Sequence, residues 1–181
     1  MSSSKKIILI VFALMLIAAS ASLFLGYIEL PSNRCSDPSL AVNASEIAPD
    51  EFLGMNKMVV SRGTDALQRV KQSHNGSIEY TKDVAIVHYM GEDRMLTLWT
   101  TLYQNETVAR IENEKMVIAM QNWGGSWASN LEELTIAEKQ VYQTTSDNVS
   151  HYFWSDREWV FYIIPHNFTQ AEIAEIIGAI P

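Results

Sequence analysis

Cysteine is almost missing from this chain: Cys35 stands alone in 181 residues. A single thiol closes no internal disulfide, so any folded part must stand on its apolar core. Cys35 is left idle or free to pair with a second molecule. Lipidation there is disfavoured, because Arg34 rather than a small residue precedes it. Positive charge is also scarce, with 13 Lys and Arg against 21 Asp and Glu, a net charge of −8. Lys5 and Lys6 supply two of those cations, so everything after them carries −10. Such a surface repels phosphate backbones and argues against nucleic-acid binding. The chain further lacks a G-x-S-x-G elbow, an H-E-x-x-H pair, a P-loop and a G-x-G-x-x-G turn. No cofactor or metal is expected, and the chain reads as a non-enzyme.

What is present begins with "IILIVFALMLIAASASLFLGYI", residues 7–28, uncharged throughout. As a helix it would be about 33 Å long, enough to cross a hydrocarbon core. Lys5 and Lys6 before it place residues 1–6 in the cytoplasm and everything after it outside the cell. Ala19-Ser20-Ala21 offers a signal-peptidase site, but "SLFLGYI" prolongs the apolar run and favours an uncleaved anchor. Both readings export the rest of the chain. The expected partners are therefore the lipid bilayer, through Ile7 to Ile28, and a membrane or surface protein.

Five N-x-S/T sequons agree with export: Asn43, Asn75, Asn105, Asn148 and Asn167. Chance would supply about one or two. Together they point to a glycosylated cell-surface protein, archaeal or eukaryotic, and each marks an exposed loop.

Residues 29–51, rich in Pro, Ser, Asn and acids, read as an extracytoplasmic linker, and the folded domain is expected over 52–181. A helix is predicted from Thr64, its N-cap candidate, to the Asn75-Gly76 turn. "DVAIVHYM" (83–90) and "RMLTLWTTLY" (94–103) read as strands, joined through "GED". A helix over 105–123 would bury Ala109, Met116, Met120 and Trp123, with Ile111 and Ile118 beside them. Residues 134–145, 149–154 and 158–164 read as further strands. Thr169 then caps a last helix, with Glu172 completing a capping box. The sum is an α+β domain: an antiparallel sheet with about three helices packed on it, behind an N-terminal transmembrane helix.

Few groups invite chemistry. His88 and His151 fall in predicted strands and could share a metal only if those strands were neighbours. Met55 with Met58, and Met116 with Met120, could offer paired thioethers to Cu(I), but core packing explains them as well. Ser126 in "GGSWAS" follows a helix and lacks the second glycine of a nucleophile elbow. Asp156 and Glu158 bracket Arg157 as a solvated turn would.

The richest segment is "HYFWSDREWVFYIIPH", residues 151–166. A turn centred on Asp156-Arg157 would set Trp154 opposite Trp159, Phe153 opposite Val160 and Tyr152 opposite Phe161. One face then holds Tyr152, Trp154, Trp159 and Phe161; the other holds His151, Phe153, Val160 and Tyr162. Both are apolar, so either helices lie on both sides or one face meets a partner. A contact surface would centre on Trp154, Asp156, Arg157 and Trp159, away from Asn148 and Asn167 at the open end.

The hairpin followed by "PHNFTQAEIAEIIGAI", with "DVAIVHYM" and "MVIAMQNW", resembles membrane-anchored archaeal surface proteins with an exported α+β domain of unknown function. The chain as a whole reads as a non-catalytic extracytoplasmic domain for binding, scaffolding or sensing. The alternatives are a tethered carrier of a lipid or other apolar ligand, and a hydrolase without a recognisable motif.

Overall fold

The computed structural model describes residues 43–73, 78–123 and 125–181. The cytoplasmic tail 1–6, the expected anchor 7–28, the linker up to residue 42 with Cys35, and His74 with Asn75 lie outside the described residues. Among the described residues no helix is long and apolar enough to cross a membrane.

Eight strands form one antiparallel sheet in the order β1-β2-β3-β4-β8-β7-β6-β5. They are β1 (Glu51–Phe52), β2 (Met55–Arg62), β3 (Thr81–Met90), β4 (Met95–Tyr103), β5 (Glu132–Ile136), β6 (Lys139–Ser146), β7 (Val149–Asp156) and β8 (Trp159–His166). The helices are α1 (Gly63–Ser73), α2 (Glu106–Trp123), the single turn α3 (Ser126–Ser129) and α4 (Gln170–Ala179). Two four-stranded meanders thus meet along β4 and β8, where Leu96 pairs with Pro165 and Leu102 with Trp159. Pairing of β8 with β7 stops at Ile163, two residues before Pro165, whose ring nitrogen has no hydrogen to donate.

Alternation along the strands separates two cores. On one face Ala85, Val87, Leu98, Tyr152, Trp154, Phe161 and Ile163 meet Ile173, Ile176, Ile177 and Ile180 of α4. The segment from Asn43 crosses this face too. Ala44 and Ala48 are buried there, Ala44 N–H donates to Asp83 Oδ2 (2.8 Å), and Tyr89 Oη donates to the Pro49 carbonyl (2.6 Å). Residues 43–50, expected in the linker, are therefore laid down on the sheet. On the other face α1 places Ala66 and Val70 against Val84 and Ile86. Beside it α2 places Ala109 against Tyr103 and Val160.

Local signals explain most elements. Gly54 (φ 78°) and Gly63 (φ 60°) bound β2 in the left-handed region that glycine enters freely. Two-residue turns with both φ positive close β5–β6 (Ala137, Glu138) and β6–β7 (Asp147, Asn148). Residues 134–145, expected as one strand, are thus a hairpin. Ala137-Glu138 carries no turn signal, so the run looks continuous in sequence. Strand β2 escaped the sequence reading as well, although Met58-Val59-Val60 between two glycines is its trace. The inward face of α2 also differs: Glu112 and Asn113 are buried beside Ala109, while Ile111 and Ile118 are exposed. Glu112 can be there because Lys115 Nζ reaches its carboxylate at 2.6 Å.

Thr169 caps α4 as expected: its Oγ1 accepts from Glu172 N–H (3.3 Å), and Glu172 Oε2 accepts from Thr169 N–H (2.8 Å). Arg94 Nη1 ties Glu172 to the β3–β4 turn at 2.8 Å. These hydrogen bonds hold the Glu172 carboxyl below its ordinary range, the backbone bond at Thr169 foremost. Thr169→Ala should cost about 1 kcal/mol in urea unfolding; an unchanged midpoint would show the cap to be idle.

Candidate functional site

The aromatic hairpin is core. Trp154 is 0% and Trp159 4% exposed, so neither indole forms a contact surface, and only Asp156 and Arg157 remain at the tip. Its register also differs from expectation. Trp154 pairs with Phe161 and Asp156 with Trp159, which leaves Arg157-Glu158 as the loop, Arg157 at φ 49°. The slip is two residues, and a slip of two returns every side chain to its own face. The face assignment therefore holds while the pairing does not. Both faces are apolar because helices cover both sides of the sheet.

On the α1–α2 side a row of rings crosses four strands: Trp99, Tyr162, Phe153 and Tyr142. Their centroids lie 5.2, 6.0 and 5.3 Å apart in near-parallel planes. Tyr162 Oη lies 2.9 Å from His151 Nδ1. Burial lowers the His151 pKa, the nearby His166 adds to this, and Asp147 opposes it. Burial likewise lowers His88. The two histidines cannot share a metal, because β4 and β8 lie between their strands. Three strand spacings are roughly 14 Å. Met55 is buried and Met58 exposed, on opposite faces of β2, so their sulfurs diverge. Among the described residues no group of three His, Cys, Asp or Glu is placed to hold a metal.

Four sequons can be located. Asn148 is exposed at the tip of the β6–β7 turn. Asn167 is exposed just past β8, its Nδ2 donating to the Asp93 carbonyl (2.6 Å). Asn105, half-buried, caps α2 by accepting from Val108 N–H (3.0 Å) at Oδ1. Asn43, also half-buried, accepts from Ser45 N–H and Oγ, both at 3.1 Å. In these last two it is Oδ1 that is engaged, whereas a glycan takes Nδ2.

One open feature had no sequence signal to announce it. β1 covers only the first residues of β2, with Lys57 N–H donating to the Asp50 carbonyl (2.8 Å) as the last rung. Among the described residues no strand pairs with the outer edge of β2 beyond it. Along this edge Met58, Val59 and Val60 are exposed by 47, 44 and 36%. On α1 the stripe Ala66 and Val70 packs inward, while Asp65, Gln68 and Arg69 overlook β2. Between edge and helix runs an open cleft of about 630 Å³ whose cations are Arg62 and Arg69. Chemically it offers strand pairing, an apolar strip and two guanidinium groups that suit carboxylates. No family model, curated protein or solved structure matches this chain.

Proposed function

We propose that this is a single-pass surface protein, anchored through Ile7 to Ile28, that displays a non-catalytic, glycosylated α+β domain for binding or scaffolding outside the cell. The observation that carries the reading is the placement of the sequons. None of the four described sequon asparagines is buried, and each sits at a turn, a helix cap or a strand end. Five sequons behind an uncharged run of 22 residues are what an exported domain would carry. Binding outside the core is favoured over carriage of an apolar ligand. A carrier needs room between sheet and helix, and there Tyr152, Trp154, Phe161, Ile176 and Ile177 are all fully buried.

The test is made in the native host. Membrane-fraction protein should run smaller after glycosidase treatment, and Asn148→Gln and Asn167→Gln should each remove one increment of that shift. A mobility indifferent to glycosidase, or recovery of the chain in the soluble fraction, would overturn the reading.

A further inference from the structure

The segment β2–α1 and the edge strand β5 carry opposite charge. Residues 55–73, which form β2 and α1, hold four cations (Lys57, Arg62, Arg69, Lys71) and one acid (Asp65), a net +3. Because the whole chain is −8, the remainder is −11. At the opposite end β5 has no outer neighbour among the described residues and exposes Glu132 and Glu133. Charges on an edge strand keep it from pairing with its like. Here β5 repels a second β5, and the cationic β2 edge repels a second β2, but neither charge guards one edge against the other. The open stretch 58–62, which carries a register shift between Val59 and Ser61, is about as long as the five residues of β5.

We infer that β5 of one molecule pairs with the open edge of β2 in a second copy of this chain, so that the sheets join head to tail. Glu132 and Glu133 meet Arg62 and Arg69 at the cleft, and the outer edge of 58–62 gains a ladder partner that it lacks among the described residues. Met58, Val59 and Val60 leave water at the same junction. No described sequon lies on β2, α1 or β5. The two surfaces are different, so the contact does not close on itself. It generates rows rather than a symmetric dimer. The inference builds on the surface-display reading, in which anchoring concentrates the copies in one plane, but its test does not depend on location.

The experiment uses the full chain in detergent, with protein mass followed by light scattering against concentration. One variant carries Arg62→Glu and Arg69→Glu; the other carries Glu132→Lys and Glu133→Lys. All four side chains are exposed, so both variants keep the core. The parent chain should grow beyond a dimer as concentration rises. Each variant alone should associate at least about tenfold more weakly, since like charges then face each other. An equimolar mixture should recover association, because each variant's altered edge complements the other's. A parent chain that stays monomeric overturns the inference. So does association that both variants retain, as contact through the anchor would give. Association that stops at two chains and is lost only with the Arg62 and Arg69 changes would mean β2–β2 pairing and overturns it too. A failure here with the glycosidase shift intact removes the head-to-tail junction and leaves the display reading standing.

Discussion

Replacing Trp154 with alanine is expected to lower the unfolding free energy by about 3–5 kcal/mol, the range for emptying a large buried aromatic site. The indole is fully buried between Phe161, 5.3 Å away by ring centroids, and the isoleucines of α4. Lys139 lies over its ring at 6.0 Å and donates to the Ile180 carbonyl, which fixes the end of α4 above it. The cavity therefore opens where sheet, helix and the β5–β6 turn meet, and no loop is free to fill it. Trp154→Phe should cost less than about 1.5 kcal/mol. It keeps most of the volume, and Trp154 Nε1 has no hydrogen-bond partner among the described residues, so no bond is lost. Urea unfolding of both variants measures the contrast. Equal, small losses for the two would place Trp154 at a deformable site and remove it from the core.

Alkali is expected to unfold the domain steeply. Three buried tyrosines resist ionisation: burial raises Tyr89 with the Asp50 charge adding to it, burial raises Tyr103 with Glu112 adding, and burial alone raises Tyr162. All three stand above the ordinary value of about 10. A raised folded-state pKa on an acid means that the unfolded chain loses its proton first. The stability is then complete below about pH 10 and falls as pH rises toward the folded-state values. Each tyrosine contributes about 1.4 kcal/mol per pH unit above that point, so three remove roughly 8 kcal/mol by about pH 12. Burial lowers Lys139 and gives the opposite sign, so one group offsets part of what three supply. A typical domain holds about 5–15 kcal/mol in all. Unfolding and tyrosinate absorbance should therefore rise together in one cooperative step, and Tyr103→Phe should reduce the slope by about a third. Gradual ionisation of these three phenols while the fold persists would show that the sites admit water.

Much of the architecture was legible because its signals are local. The period of two in residues 94–103 located β4, and Thr169 with Glu172 located the start of α4 before any contact was known. Apolar residues on both sides of 151–166 already required two covered faces or a partner. The misreadings have equally physical origins. Ala137-Glu138 turns the chain without glycine, asparagine or aspartate, so the β5–β6 hairpin was invisible. Glu112 lies inward on α2 because Lys115 follows it by one helical turn, and a hydropathy pattern assigns a glutamate outward. For the candidate site, little could be read: β2 is irregular, with a register shift between Val59 and Ser61, and its significance lies in an outer edge that, among the described residues, no strand covers beyond β1.

The sequence by itself determined which segments extend, which coil and which side chains share a face, since backbone propensity and side-chain period act over a few residues. Only the tertiary structure decided that β4 joins β8, that Trp154 and Trp159 are sealed under α4, and that the stretch of β2 beyond β1 and the edge strand β5 lie open, with opposite charge, among the described residues. Strand neighbours are chosen by the burial that distant segments achieve together, and no window of adjacent residues contains that free energy.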